Sequence, residues 1–151
     1  MSNETHAWRT PVVVPILAYE DVPKAADWLC HVFGFQERVG ARLSWNGGGM
    51  AWLEVGDGLI CLSTTDGKAG RSPKASGTSQ LLKVYVDDVD QHFAHATAAG
   101  ASVSSPLEDG FWGGRVYRAK DLEGHLWEFS QSGRDLPASR WRLPPGLTRG
   151  A

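Results

Sequence analysis

Cysteine, net charge and long apolar runs are all scarce in this 151-residue sequence. Its two cysteines, Cys30 and Cys61, are too few for a disulfide framework and form no CxxC motif, so we expect two buried free thiols in a reducing compartment. The formal net charge is −2 and Lys and Arg form no stripe, which argues against nucleic acid as a partner. No apolar run approaches a membrane span and no signal peptide opens the sequence, so we expect a cytoplasmic protein with no membrane partner.

Tryptophan, in contrast, is abundant, with seven residues in the sequence. Because a buried indole N–H needs a hydrogen-bond partner, we do not expect all seven in a core. The hydrophobic share of 42% and the charged share of 21% are typical of a globular domain. We therefore expect some of the tryptophans to line a concave surface.

The order strand, helix, strand, strand, strand occurs twice along the chain. In the first half, Asp21 is the predicted N-cap of a helix that ends at Gly34, and the predicted strands are Pro11–Tyr19, Gln36–Trp45, Met50–Val55 and Leu59–Ser63. In the second half, Asp88 caps a helix that ends at Gly100, and the strands are Leu81–Val86, Ala101–Ser104, Arg115–Lys120 and His125–Ser130. Such a repeat predicts an α+β fold made of two βαβββ modules.

These boundaries predict a single domain over residues 11–132. Module one covers residues 11–64, module two covers residues 80–132, and a linker rich in Gly, Ser, Thr and Lys spans residues 65–79. Residues 1–10 are predicted to form an N-terminal arm. Residues 133–151 form a tail with proline and arginine, which is either a strap over the body or disordered.

A carboxylate in the last predicted strand needs an explanation. Glu128 lies mid-strand between two aromatic residues, and burial there is costly unless that face borders water, a partner or a ligand. When Ser63 and Ser130 are superposed, Cys61 occupies the position of Glu128 in module one. Glu128 either pairs with a nearby Arg as a structural residue, or anchors a ligand or acts as a base.

Three motifs give the chain a resemblance to a known family. They are Asp21-Val22 leading a helix to Val32-Phe33-Gly34-Phe35, then Val86-Asp87-Asp88-Val89-Asp90, and finally Asp121-x-x-Gly124-His125-x-Trp127-Glu128-Phe129. With these motifs, residues 11–132 resemble the glyoxalase / bleomycin-resistance / dioxygenase proteins, the vicinal oxygen chelate superfamily. The resemblance implies two modules whose sheets curl into a cleft, commonly completed by a homodimer. It does not fix the chemistry, because one scaffold hosts many activities.

The resemblance also implies where a metal would bind. Metal-dependent members take ligands from the first and last strand of each module, which correspond here to Val14, Leu81, Cys61 and Glu128. Two of these side chains cannot coordinate a metal, and one carboxylate with one thiol is too few for a catalytic divalent site. We therefore predict no metal and no cofactor, which argues against glyoxalase-type isomerisation and extradiol dioxygenation.

The candidate ligand-binding residues are mostly aromatic side chains that the resemblance places around the cleft. The predicted set is Trp45, Trp52, Glu54, Trp112, Arg115, Tyr117 and Glu128. Strand alternation puts Trp52 and Glu54 on one face, and the aromatic residues either stack on a flat ligand or pack in the core and a dimer contact. No catalytic residue is assigned, apart from Glu128 if the protein is an enzyme.

The histidines and the glycine-rich segment give weaker signals. His92 and His95 have metal-ligand spacing, but the polar residues around them predict a solvated helix face. His125 follows a turn and is predicted to be structural. The run Gly47-Gly48-Gly49 is a hairpin and not a phosphate loop, because no helix follows it.

Two functions from different classes follow. The first is a metal-independent protein that binds a small aromatic or amphipathic molecule, with antibiotic sequestration as one such role. The alternative is an enzyme of the same superfamily, a lyase, isomerase or dioxygenase, that uses Glu128 as a base or metal ligand. The sequence favours the non-catalytic binding protein.

Overall fold

The computed structural model describes residues 10–65 and 70–150, so almost all of the predicted N-terminal arm lies outside the described residues. Module one contains β1 (Ile16–Ala18), α1 (Val22–Phe33), β2 (Gln36–Glu37), β3 (Leu43–Trp45), β4 (Gly48–Val55) and β5 (Gly58–Ser63). A short helix α2 (Pro73–Ser76) lies in the predicted linker. Module two contains β6 (Leu81–Val86), α3 (Val89–Ala98), β7 (Ser102–Asp109), β8 (Arg115–Lys120) and β9 (Leu126–Gln131). The predicted α+β fold is confirmed.

Each module forms its own mixed sheet, and the two sheets repeat the same pairing. The strand order is β1-β5-β4-β2 in module one, with β3 paired to β4, and β6-β9-β8-β7 in module two. The first strand of each module pairs in parallel with its last strand. In module one Ile16 lies beside Cys61, and in module two Lys83 lies beside Glu128. The register therefore makes Cys61 and Glu128 equivalent, as the superposed serines predicted.

The sequence begins and ends α1 by local chemistry. The Asp21 carboxylate accepts a hydrogen bond from the backbone N–H of Lys24 at 3.1 Å, which satisfies one of the free donors of the first turn. At the other end Gly34 takes a φ of 77°, a left-handed conformation that glycine adopts without strain, and its N–H bonds the Cys30 carbonyl. Leu29 lies on the buried face of this helix, and its burial stabilises the fold by roughly 2 kcal/mol.

One hydrophobic core joins the two modules. The ring of Phe33 from α1 lies 4.8 Å from Phe129 and 6.0 Å from Trp127, both on β9. His92 of α3 is half-buried at this contact, where its Nδ1 lies 2.5 Å from the Tyr117 hydroxyl and its Nε2 lies 2.8 Å from the Phe33 carbonyl. The predicted solvated face was therefore wrong for His92, because α1 of the other module covers it.

Two buried carboxylates in the β8–β9 turn bind module one. Asp121 accepts a hydrogen bond from the Tyr19 hydroxyl at 2.5 Å, and Glu123 accepts from the backbone N–H groups of Glu20 at 2.7 Å and Asp21 at 3.1 Å. His125 is buried beside them and its Nε2 lies 2.8 Å from the Ala18 carbonyl, in agreement with a structural role. These bonds fix the start of α1 against module two.

Strand β7 is longer than the sequence indicated. The predicted strand ended at Ser104, whereas β7 continues through Pro106 to Asp109 with two shifts of register. β7 is the edge strand of its sheet, where a proline can occur because one side of the strand needs no N–H donor. None of the described helices combines the length and the apolar character needed to cross a membrane.

Candidate functional site

The last strand of module two separates a core face from a second face. Trp127 and Phe129 of β9 pack in the core, so alternation turns Glu128 and Ser130 to the opposite side. The ladder places Arg118 of β8 and Lys83 of β6 on either side of Glu128. A buried acid is therefore flanked by two basic residues that lie far apart in the sequence.

Both oxygens of the Glu128 carboxylate have cationic partners. Its side chain is only 7% exposed, Arg118 Nε donates to Oε1 at 2.9 Å, and Lys83 Nζ lies 3.4 Å from Oε2. Buried charge is tolerated when it is paired and hydrogen-bonded in this way. Glu128 therefore pairs with a nearby Arg, as its interpretation as a structural residue predicts.

Two aromatic rings lie next to the ammonium group of Lys83. Its Nζ is 5.3 Å from the centre of the Tyr85 ring and 5.4 Å from that of Trp112, within the range of cation–π attraction. The Trp112 Nε1 and the Ser130 Oγ are buried, and within the described ranges neither has a hydrogen-bond partner. We call Lys83, Tyr85, Trp112, Arg118 and Glu128 the Lys83 cluster.

A cleft between the modules reaches this cluster. It has a volume of about 590 Å³ and is lined by residues 55–60 of module one and by residues 82–85 and Trp127 of module two. Both faces of β6 contribute, so the cleft runs along the outer edge of that strand. Apolar and polar groups share its wall about equally, and its charged residues are Lys83, Asp57 and Asp87. Such a cleft suits an amphipathic small molecule with both apolar and polar surface.

The predicted residues of module one lie on the face opposite its core. Ala51 and Leu53 are fully buried, and alternation therefore places Trp52 and Glu54 on the other side, as predicted. Trp52 is half-buried beside Cys61, and Glu54 forms an ion pair with Arg38 at 3.1 Å. Trp45 lies in the β3–β4 hairpin and is 47% exposed. The cleft wall of module one comes instead from residues 55–60 together with Val13 and Pro15.

Two other predicted residues lie on the helix side of module two. Tyr117 is fully buried, its ring stacks on Phe129 at 5.3 Å, and burial raises its pKa above the usual value. Arg115 bonds Asp90 of α3 at 2.9 Å and Asp109 at 3.3 Å, and this pairing lowers the pKa of Asp90. Tyr117 and Arg115 are apart from the Lys83 cluster because they share the opposite face of β8. We leave them out of the candidate site.

The structure shows the environment of the positions that correspond to the family's metal ligands. Cys61 is fully buried and burial raises the pKa of its thiol to about 11, which disfavours the thiolate that binds metals. Leu81 is exposed and Val14 is half-buried. Across residues 10–65 and 70–150, no three His, Cys, Asp or Glu side chains are grouped so as to hold a metal ion. That the protein works without a metal stays a prediction.

Sequence reasoning missed the basic half of the site. Lys83, Arg118 and Tyr85 were not among the predicted residues, although the hairpin turn at residues 121–125 sets a register that pairs Arg118 with Glu128. The position of Lys83 needed the parallel pairing of β6 with β9, which no local pattern reveals.

Comparisons with known proteins agree with this architecture. A model of the Glyoxalase/Bleomycin resistance protein/Dioxygenase superfamily matches residues 11–129. An uncharacterised protein of Mycobacterium bovis is 29% identical over 133 residues, which cover 83% of this chain and 86% of that protein.

Two solved structures extend the comparison. TioX from Micromonospora sp. ML1 is 42% identical, with a TM-score of 0.66 over 79% of this chain and 96% of TioX. The genomically encoded fosfomycin resistance protein FosX from Listeria monocytogenes is 19% identical, with a TM-score of 0.60 over 82% of this chain and 94% of FosX. At that identity the second likeness shows the fold alone.

Proposed function

Because the chain belongs to the Glyoxalase/Bleomycin resistance protein/Dioxygenase superfamily, we propose that it binds a small aromatic or amphipathic molecule in the cleft between its modules, without a metal. The observation that carries this proposal is the position of Lys83. Its side chain lines the cleft of about 590 Å³, pairs with Glu128 and lies next to the rings of Tyr85 and Trp112. Ligand sites typically combine apolar surface with fixed polar groups, and this cleft offers both.

The state of Glu128 supports binding over catalysis. A general base needs a carboxylate oxygen that can reach a substrate proton. Here one oxygen accepts from Arg118 and the other faces Lys83, so both are already occupied. The pair fixes the strand-to-strand geometry beneath the aromatic rings. The family description includes bleomycin resistance, and antibiotic sequestration is the biological role we propose for this binding.

Tryptophan fluorescence tests the binding proposal directly. The protein is titrated with a panel of glycopeptide, anthraquinone and quinone antibiotics, and we expect saturable quenching by at least one compound. Trp112→Phe should reduce that response, with the remainder coming from Trp127 at the cleft wall, whereas Trp45→Phe, which removes an indole from the β3–β4 hairpin, should keep it. A panel with no saturable response would count against sequestration of these compounds.

Metal content separates this function from the alternative enzyme. The observation that favours the enzyme is the match of Glu128 to a metal-ligand position of the family. Protein purified without chelator is analysed by inductively coupled plasma mass spectrometry, and we expect no stoichiometric divalent metal. A full equivalent of metal that Glu128→Gln abolishes would overturn the proposal and establish a metalloenzyme site.

We also propose that the chain forms a homodimer. Val12 and Ile16 are apolar residues near the start of β1, yet both are largely exposed, and a second copy would cover them. Size-exclusion chromatography with light scattering should give twice the mass of one chain. Val12→Glu should lower that mass, whereas Val39→Glu, at an equally exposed valine in another part of module one, should not.

A further inference from the structure

The chain continues beyond the region that the family model matches, and this segment packs on the loop that carries Trp112. Residues 133–141 follow β9, and the backbone N–H of Leu136 donates to the Trp112 carbonyl at 2.7 Å. The loop itself is closed by a 2.7 Å bond from the Gly110 N–H to the Gly114 carbonyl. We call residues 133–141 the strap.

A second anchor joins the strap to the wall of the cleft. The hydroxyl of Tyr85, on β6, donates to the Asp135 carboxylate at 2.5 Å. This bond raises the pKa of Tyr85 above its usual value, because the neighbouring carboxylate disfavours the phenolate. The strap therefore touches two aromatic members of the Lys83 cluster, one through its ring hydroxyl and one through its backbone.

The strap is also stiffened by its own side chains. Trp141 Nε1 donates to the Leu136 carbonyl at 2.8 Å, and the indole of Trp141 meets the ring of Phe111 edge-on at 5.9 Å. A 3₁₀ turn over Ala138–Arg140 lies between these two contacts. The strap is thus held at Asp135, which bonds Tyr85, and at Trp141, which contacts Phe111, in addition to the bond from Leu136 to the Trp112 carbonyl.

Glycine makes this close packing feasible. Gly113 has a φ of 89°, and a Cβ there would lie 2.7 Å from Leu136 Cγ, so a side chain would displace the strap. At Gly114 a Cβ would lie 2.1 Å from Trp112 Nε1. The loop therefore has space for the indole and for the strap only because both positions lack side chains.

From these contacts we propose that the strap is a specificity-determining part of the binding site, since it holds Trp112 over Lys83 and fixes Tyr85 at the cleft wall. The strap thus fixes an indole whose buried Nε1 has no hydrogen-bond partner among the described residues. The effect of the strap on ligand choice rests on the proposed function, whereas the contact by which the strap holds Trp112 does not.

Fluorine NMR tests the hold on Trp112 without any ligand. Labelling with 5-fluorotryptophan gives one resonance for each of the seven tryptophans, and Trp112→Phe assigns the one of interest. Truncation after Ser132 removes the strap, and we expect the Trp112 resonance to move and to gain a larger H₂O/D₂O isotope shift. Leu136→Pro removes the N–H that bonds Trp112 and also restricts the backbone at residues 135 and 136, so it should move the same resonance in the full chain. Truncation after Arg149 is the matched control and should leave the resonance unchanged, because it keeps the strap and the bonds from the Arg149 guanidinium to the Ala138 and Trp141 carbonyls.

The outcomes separate the two proposals. An unchanged Trp112 resonance in both Leu136→Pro and the protein truncated after Ser132 would overturn the proposal that the strap holds Trp112 in place. If the antibiotic panel has identified a ligand, we expect the truncated protein to bind that compound at least about tenfold more weakly, because Trp112 and Tyr85 would no longer be held in place before binding. Equal affinity with a displaced Trp112 would overturn the role in specificity. A silent panel would count against the binding function and leave the NMR result to decide the strap.

Discussion

Replacement of Asp121 by alanine should destabilise the protein strongly. The carboxylate is 6% exposed and accepts four hydrogen bonds. Oδ2 accepts from the Tyr19 hydroxyl at 2.5 Å and from Trp127 Nε1 at 3.1 Å, while Oδ1 accepts from the backbone N–H groups of Glu123 and His125, both at 3.0 Å. Asp121→Ala would leave all four donors without their acceptor.

The size of the effect follows from the two side-chain donors, which are the most deeply buried. Leaving a buried donor unsatisfied costs about 1–3 kcal/mol, so Tyr19 and Trp127 together lose roughly 3–4 kcal/mol. The two backbone groups of the turn add less, because removal of a buried charge offsets part of their loss. We therefore expect the free energy of unfolding to fall by about 3–5 kcal/mol, a large share of the roughly 5–15 kcal/mol of a typical domain.

Urea denaturation at neutral pH, followed by circular dichroism, measures this change. Asp121→Asn should cost about half as much, because one oxygen can still accept from the turn while the amide opposes the Trp127 donor. Asp27→Ala is the matched control. Its carboxylate is 74% exposed and pairs with Arg42 on the surface, so it should change stability by less than about 1 kcal/mol.

A double-mutant cycle with Tyr19→Phe gives the sharpest test. If the 2.5 Å bond contributes as argued, the two losses are not additive, and the coupling free energy should reach about 1 kcal/mol or more. Burial and the adjacent Asp121 charge also raise the pKa of Tyr19 well above its usual value, as this bond requires. An Asp121→Ala protein within 1 kcal/mol of the wild type, or a coupling of zero, would refute the reasoning.

Three further predictions concern other groups. Burial lowers the pKa of His92 below 6.5 in the folded protein, so its contribution to stability is present above pH 6.5 and is lost as pH falls toward that lowered pKa. In urea titrations between pH 7 and pH 5 the wild type should therefore lose stability relative to His92→Gln, and an equal pH dependence of the two proteins would contradict this. Cys61, with its thiol pKa of about 11 and no exposed surface, should react with Ellman's reagent only on unfolding, whereas the half-buried Cys30 reacts in the native protein; equal rates would contradict this. Glu128→Gln should lower the free energy of unfolding by about 1–3 kcal/mol in urea melts, because it leaves two cations facing each other; an unchanged midpoint would contradict the ion pairs as drawn.

Local chemistry explains why so much of the fold could be predicted. The N-caps Asp21 and Asp88 and the closing Gly34 act within one turn of helix, so neighbouring residues suffice to place them. The equivalence of Cys61 and Glu128 was also visible, because the last strands of both modules carry a serine two residues after these positions, Ser63 and Ser130. Patterns with a period of two or 3.6 residues identify these elements before any tertiary contact is known.

The errors arose where a second element decides the outcome. Tyr117 was predicted at the cleft from the resemblance alone, yet its ladder partner is Phe129 of the core, and a strand places such partners on one face. His92 was predicted to be solvated because its own helix is polar, but Phe33 of the other module covers it. Lys83 became a candidate only through the parallel pairing with β9. Each error thus reflects a contact between residues far apart in sequence.

The bonds from the β8–β9 turn to the start of α1 also constrain how the chain is made. The Tyr19 hydroxyl and the Glu20 N–H find their acceptors 102 and 103 residues later. At a synthesis rate of about 5–20 residues per second, the amino end of α1 waits about 5–20 s on the ribosome for those carboxylates. Module one therefore completes its fold only after most of module two has been translated. Until then the Tyr19 hydroxyl and the Glu20 N–H lack these acceptors, so the last strands of the chain determine when the start of α1 is fixed in place.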